Sequence, residues 1–314
     1  MKGIIFPEKG KIELLDEPAA EPESGRLFCQ TIYSGLTNGT ERNVLMGGNY
    51  GGKLPARCGY QNVGRILEVG EGCEGWQEGD LLFCGDFCQH VAFFNANPDG
   101  LVVKIPSSVD PKHAALFGMA GVAMHDVRRA ETKLGDRVLI VGAGPIGQFT
   151  AQAARASGAD VTVADINSER LAIAEECGSS IIEIVSDDTW ESIKEHYCFD
   201  IVFEDSGAAI LDQILGRSFS KKNLLKRRGK LVMIAGRFDV SYSFNAGQSL
   251  ELAVLHAGHF SRDDLILLAK LVADGTVTVA PIIKDVVKID KAIAVYERLR
   301  DDPASLFGTV FDWT

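Results

Sequence analysis

Residues 137–147 constrain the fold more tightly than any other stretch. Val138 to Val141 is an uninterrupted apolar run, and it is followed at once by Gly142, Gly144 and Gly147. A short apolar run bounded by glycine reads as a buried strand. Residues 147–157 contain no proline and read as a helix. The chain must therefore pass from strand to helix through a tight glycine turn. The same alternation continues downstream. Residues 160–164 read as a strand, and residues 168–177 as a helix closed by Gly178. Residues 200–203 and 230–235 read as further buried strands. Strands alternating with helices predict an α/β fold with a doubly wound, Rossmann-type parallel sheet.

The chain before this region is different. Residues 3–6, 27–33, 63–69 and 101–105 are short apolar runs separated by turn residues such as Gly70, Gly72, Pro98 and Gly100. That pattern predicts a β-barrel-like domain. Residues 111–130 read as a continuous helix leading into the second domain. Residues 261–275 and 291–300 read as amphipathic helices, and residues 309–311 as a last strand. The expected division is a first domain over 1–119, a dinucleotide-binding domain over 120–259, and a return to the first domain over 260–314.

The glycine turn carries the clearest chemistry. A G-x-G-x-x-G match gains meaning when it follows a buried strand and opens a helix. Gly142 permits the tight turn, Gly144 lets a pyrophosphate approach the backbone, and Gly147 lets helix and strand pack closely. Pro145 and Ile146 complete the loop. The free amides and positive dipole end of the helix suit phosphates. Asp165, at the end of the next strand, is placed to accept the ribose hydroxyls, with Ile166 beside it. A carboxylate there disfavours a 2′-phosphate, so NAD is the expected cofactor, although nearby Arg170 weakens that preference. Ser206 and Gly207 follow one strand, and Gly236 and Arg237 follow another, at the strand ends where such sheets bind ligands. Arg237 reads equally as a phosphate contact or an exposed arginine.

Composition narrows the partners. The formal net charge of −11 over 314 residues excludes a broad nucleic-acid surface. The cluster of Lys221, Lys222, Lys226, Arg227 and Arg228 reads as a solvated helix end. No apolar run is long enough for a membrane span, and the N-terminus lacks a signal-peptide pattern, so a cytoplasmic location is expected. Seven scattered cysteines are not a disulfide framework. His90, His113 and His196 lie in uninformative contexts, His125 reads as packing, and His256 and His259 read as surface or interface residues, with an approach to the nicotinamide as the alternative.

Taken together, Gly39-Thr40-Glu41, Gly64-Arg65-Ile66, Gly79-Asp80, the glycine loop, Asp165 with Asn167, and Glu204 to Gly207 resemble the medium-chain dehydrogenase/reductase superfamily. Residues 34–41, 59–65, 211–217 and 311–313 resemble its bacteriochlorophyllide a dehydrogenase-like branch. The resemblance implies a GroES-like catalytic domain beside the Rossmann domain, and a homodimer with residues 250–257 at the subunit contact. It also implies which positions would hold zinc. Those positions carry Asn38, Tyr60, Gln61 and Met119. A carboxamide, a phenol and a thioether are not zinc ligands, so no metal is expected. Cys84, Cys88 and His90 could form at most a partial metal site. Without the metal, Tyr60 and Thr40 are the expected acid–base pair, with Asn38 and Gln61 orienting and Glu41 structural. The expected activity is NAD(H)-dependent, zinc-free interconversion of a secondary alcohol and a ketone on a small-molecule substrate. The alternatives are reduction of an enone or quinone, and a dinucleotide-binding protein without catalysis.

Overall fold

A computed structural model describes every residue except Met1, Glu17, Ala19, Gly51, Gly52 and residues 218–222. The chain divides into two compact units. The first comprises Met1–Gly121, Phe260–Gly275 and Val279–Thr314, and the second comprises Val122–His259 and Thr276–Thr278. From the N-terminus run β1 (Lys2–Ile5), β2 (Glu13–Asp16), β3 (Leu27–Gly35), α1 (Asn38–Leu45), β4 (Asn62–Val69), β5 (Leu81–Cys84), β6 (Phe93–Ala96), β7 (Val102–Lys104), α2 (Pro111–Ala114) and α3 (Phe117–Arg129). There follow β8 (Arg137–Val141), α4 (Pro145–Ala156), β9 (Asp160–Asp165), α5 (Ser168–Glu176), β10 (Ser180–Glu183), α6 (Asp187–His196), β11 (Phe199–Glu204), α7 (Leu211–Leu215), β12 (Leu225–Met233), α8 (Phe244–Leu250) and β13 (Ala253–His256). The chain ends with α9 (Arg262–Ala273), β14 (Ile283–Lys288), α10 (Ala292–Asp301) and β15 (Gly308–Asp312).

The second unit is the doubly wound Rossmann sheet that the alternating pattern predicts. Among the described residues its six strands are ordered β10-β9-β8-β11-β12-β13, and every pairing is parallel. Helices on both faces shield β8, whose Val138, Leu139 and Ile140 are fully buried. The strand order reverses between β8 and β11, so the loops after these two strands share the topological switch point. The basic cluster is not a helix end. Lys226, Arg227 and Arg228 lie on β12 and face acids: Lys226 pairs with Asp200 at 2.8 Å, and Arg227 and Arg228 pair with Glu251. Lys221 and Lys222 fall outside the described residues.

The first unit is GroES-like, with strands ordered β14-β15-β3-β4-β5-β7 and β6 also on β3. The β3–β4 ladder shifts register between Phe28 and Cys29 and again between Thr31 and Tyr33, and each irregularity bends the sheet. The predicted helix over 111–130 is two helices. Asp110 caps α2 by accepting from the Lys112 amide. The chain breaks at Ala115 because β3 runs directly against it: a Cβ on Gly35 would lie 1.9 Å from the Ala115 carbonyl.

The C-terminal segment is tied in by a buried carboxylate. Glu41 on α1 is almost wholly enclosed. Its carboxylate accepts from the Thr37 amide at 2.7 Å, from His90 Nε2 at 3.2 Å and from the Tyr296 hydroxyl on α10. His90 Nδ1 meets Ser34 Oγ at 2.8 Å, and Ser34 Oγ accepts from Trp313 Nε1 at 2.9 Å. The Glu41 carboxylate can only accept, so His90 Nε2 carries a ring hydrogen. His90 is thus the centre of a buried network, where its sequence context suggested nothing. Glu41→Ala strands three buried donors and is expected to cost roughly 3–5 kcal/mol in urea unfolding of the first unit. A loss below about 1 kcal/mol would remove the network from the account of stability.

Candidate functional site

In the second unit, the loops after β8 and β11 meet closely. Gly142 adopts φ +109°, and a Cβ there would lie 2.7 Å from the Ser206 amide nitrogen. A Cβ on Gly147 would lie 1.9 Å from the Gly142 carbonyl oxygen. These two glycines are demanded by the protein itself. Gly144 is different: a Cβ on it would meet no protein atom within 4 Å. Gly144 therefore faces open space at the start of α4, which begins with Pro145 and Ile146 and has no side-chain cap. Such an N-terminus presents backbone amides to an anion. Asp165 ends β9, and its two oxygens accept from the Ala143 amide at 2.6 Å and the Asn167 amide at 2.8 Å. A carboxylate has about four acceptor positions, so capacity remains for ribose hydroxyls. Ile166 beside it is 78% exposed and offers an apolar surface. Gln148 Nε2 donates to the Ala143 and Arg170 carbonyls at 3.2 and 2.8 Å, linking the glycine loop to α5. These residues fit a dinucleotide.

The loop after β11 is organised by Glu204, which is fully buried. Its Oε1 accepts from the Ser206 amide, the Ser206 hydroxyl and the Gly207 amide, the two amides at 3.0 Å. Its Oε2 pairs with Arg237, whose Nε donates to the Ala235 carbonyl at 3.1 Å. Arg237 is therefore neither an exposed arginine nor an unengaged phosphate clamp; it neutralises a buried acid beside Gly236. Asp205 carries no sequence signal of its own. Burial, with the Asp126 and Glu204 charges adding, pushes its carboxyl well above the usual range. Its Oδ2 lies 3.5 Å from where a Gly147 Cβ would stand.

In the first unit, the structure brings Tyr60, Gln61 and Met119 together beside Gly118, and places Asn38 next to Thr37 at the start of α1. Gln61 is fully buried. Its Oε1 accepts from the Met119 amide at 2.9 Å, capping the first turn of α3 where the preceding helix has broken. Its Nε2 donates to Thr37 Oγ1 at 2.9 Å and to the Gly35 carbonyl at 3.3 Å. The Tyr60 phenol is hydrogen-bonded to Thr37. Burial pushes its pKa up to about 12; the Thr37 bond works against that rise and the Glu41 charge adds to it. Phe87, 66% exposed, and Phe260 flank the ring at centroid distances of 5.7 and 6.3 Å. Asn38 Nδ2 donates to the Leu306 carbonyl at 3.0 Å, while its Oδ1 is buried and accepts nothing among the described residues. Thr40 is half-buried on α1. Sequence reasoning missed Thr37, which lies inside residues 34–41 with no signal of its own.

This donor set does not suit zinc. The Gln61 amide is spent at both ends, the phenol holds its proton, and Asn38 offers one carboxamide oxygen. Among the described residues no three His, Cys, Asp or Glu side chains gather as a metal site. The Cys84 and Cys88 sulfurs lie 3.2 Å apart, but the His90 ring is committed to Ser34 and Glu41. No helix among the described residues is long and apolar enough to cross a membrane.

Residues 145–264 match the zinc-binding dehydrogenase family model. An uncharacterized zinc-type alcohol dehydrogenase-like protein of Escherichia coli is 34% identical over 74% of this chain and 76% of its own. The 2-dehydro-3-deoxy-L-galactonate 5-dehydrogenase of Pseudoalteromonas atlantica is 28% identical over 93% of each chain. A crystal structure of an Escherichia coli oxidoreductase/dehydrogenase of unknown specificity superposes with a TM-score of 0.85 at 19% identity, over 99% of this chain and 98% of that one. The glycine geometry separates two variants. Gly147→Ala is expected to lower the Tm, because its methyl meets the Gly142 carbonyl. Gly144→Ala should leave the Tm of the ligand-free protein nearly unchanged yet raise the NADH Kd at least ~10-fold in calorimetry. Unaltered binding by Gly144→Ala would move the pyrophosphate elsewhere.

Proposed function

The chain belongs to the zinc-type alcohol dehydrogenase-like family of the medium-chain dehydrogenase/reductase superfamily, and we propose that it is a zinc-free, NAD(H)-dependent oxidoreductase interconverting a secondary alcohol and a ketone. The supporting observation is that Tyr60 and Gln61, at two of the positions where the resemblance places zinc ligands, are buried and are both hydrogen-bonded to the neighbouring Thr37. The relatives named above are alcohol-type dehydrogenases, and a pyridine nucleotide is the cofactor such enzymes use. The branch resembling bacteriochlorophyllide a dehydrogenase remains part of this reading on sequence grounds.

When bound, a pyridine nucleotide supplies or takes up the hydride. The protein must then bind the nucleotide and manage the substrate oxygen. Gly144 leaves room for the pyrophosphate, and the uncapped backbone amides at the start of α4 would hold it. Asp165 accepts the ribose hydroxyls and repels a 2′-phosphate, which favours NAD over NADP. With a pKa near 12, Tyr60 keeps its proton at neutral pH. It therefore acts on a ketone oxygen as a hydrogen-bond donor and acid rather than as a resting base. Thr40 supplies a second hydroxyl, and Asn38 an acceptor for a substrate hydroxyl. The exposed ladder edge of β13 supports a homodimer formed along residues 250–257.

Two variants test the reading with NADH or NADPH and a panel of ketones, enones and quinones. Asp165→Ala is expected to weaken NADH binding and relax discrimination against NADPH; an unchanged preference would reject that role for the carboxylate. Tyr60→Phe should cut ketone turnover by ~10²–10⁴-fold. Turnover near that of the parent would reduce Tyr60 to a filler of space. Reduction confined to enones or quinones would replace the alcohol–ketone assignment.

A further inference from the structure

We propose that Cys84 and Cys88 form a reversible dithiol–disulfide site in the first unit, oxidised by hydrogen peroxide, and that closing the bond resets Phe87 against Tyr60. The chemistry at the two sulfurs stands on its own geometry, and its effect on turnover rests on the reading of Tyr60 given above.

The two sulfurs lie 3.2 Å apart. A disulfide needs about 2.05 Å, so an approach of roughly 1 Å makes the bond. Both ends of the segment that carries them are anchored. Cys84 closes β5, where it pairs with Asn62 on β4 and with Val102 on β7. The next amide, that of Gly85, donates to the Leu101 carbonyl at 2.8 Å. Beyond Cys88, the Gln89 and His90 amides donate to the Gly59 and Cys58 carbonyls, each at 2.8 Å. Between these anchors lie Asp86, Phe87 and Cys88, and Asp86 Oδ1 accepts from the Leu101 amide at 3.1 Å. The sheet therefore holds the sulfurs as neighbours, and the entropy of bringing them together is already spent in folding.

The two sulfurs are not equivalent. Cys84 is wholly buried among Leu27, Ile66, Leu82 and Val91, and Cys88 packs half-buried at the edge of that cluster. Contact with Cys88, and then burial, hold the Cys84 thiol protonated, well above the ordinary thiol range. Cys88 is thus the sulfur that an oxidant from solvent meets, and its partial exposure suits a small oxidant such as a peroxide. The Cys88 thiolate attacks one peroxide oxygen and the O–O bond breaks. The departing hydroxide takes a proton and leaves as water, and Cys88 becomes a sulfenic acid. The Cys84 sulfur then attacks the Cys88 sulfur, the S–O bond breaks, and the second hydroxide leaves as water with the Cys84 proton. Two thiols have lost two hydrogens and two electrons, and the peroxide has become two waters. The consequence is carried by Phe87, the residue before Cys88. It is 66% exposed, and its ring centroid lies 5.7 Å from that of Tyr60. The same loop touches the other ring that flanks Tyr60: a Cβ on Gly85 would lie 2.7 Å from Phe260 Cε2 and Cζ. Drawing Cys88 inward carries Phe87 with it, and a displacement of ~1 Å beside reacting groups costs up to ~10²-fold in rate.

The test treats the full-length protein with hydrogen peroxide, counts its thiols in denaturant and maps them by alkylation and mass spectrometry. The count is expected to fall by two from seven, with a loss of two hydrogens in the peptide that carries residues 84–88, and dithiothreitol should restore both. In NADH oxidation with cyclohexanone or 3-hydroxybutan-2-one, the oxidised protein should be at least ~10-fold slower and should recover on reduction. Cys88→Ser should match the untreated parent and ignore the peroxide, which separates the effect from oxidation of methionines. Cys84 and Cys88 both still open to alkylation after peroxide overturn the inference, as does Cys88 driven to a sulfinic acid with no disulfide formed. The mapping needs no variant, so it remains decisive if Cys88→Ser does not fold. A Cys88→Ser chain that peroxide slows as much as the parent overturns the link to turnover. A disulfide that forms with turnover unchanged, while Tyr60→Phe is slow, overturns the coupling through Phe87. If Tyr60→Phe also turns over normally, the reading of Tyr60 falls and the dithiol site stands.

Discussion

Everything that is chemically organised in the first unit depends on one enclosed negative charge. An ionised carboxylate away from water is very costly unless hydrogen bonds replace its hydration. Glu41 meets that demand with a backbone amide, an imidazole and a phenol from three distant parts of the chain. Each donor is ordered by serving it. The Thr37 amide fixes the start of α1, His90 is oriented through Ser34, and Tyr296 holds α10 against the sheet. The hydroxyl of Thr37 makes no helix cap and accepts from Gln61 instead, while Glu41 secures the start of the helix.

The second unit solves a different problem by close backbone approach. Glycine at 142 and 147 removes atoms that would otherwise collide with Ser206 and with the turn itself. Buried Glu204 then gathers the next loop around its own two oxygens, and Arg237 balances its charge. One unit is arranged around a charge that must be satisfied, the other around space that must be kept clear. Neither device needs a metal ion to set its geometry.

The two devices were not equally legible in the amino-acid sequence. The glycine turn is local: strand, turn and helix occupy eleven consecutive positions, and periodicity together with Gly spacing specifies them. Asp165 is readable for the same reason. The unit around Glu41 draws on residues 34, 37, 41, 90, 296 and 313, and no spacing rule connects them. His90 therefore looked uninformative and Thr37 drew no attention. The helix break near Ala115 was hidden because its cause, the passage of Gly35, lies eighty residues upstream. Arg237 was ambiguous because an arginine facing solvent and an arginine neutralising a buried acid have the same one-dimensional signature. The residues at 38, 60, 61 and 119 were recognised as a group through family resemblance, but the polarity of their hydrogen bonds exists only in three dimensions.

The contact between Trp313 and Ser34 spans 279 residues of chain, and it bears on how the protein is made. Strand β15, which carries the segment leading to Trp313, pairs directly with β3, so the first unit closes around material translated long after its own early strands. The second unit is almost continuous in sequence and can form while the ribosome is still working. During that interval the early strands, with the apolar side chains of β3 and β4, wait without their final neighbours. Such a delay exposes sticky edges to other nascent chains. It makes the yield of native protein sensitive to holding chaperones and to the speed at which the closing segment emerges.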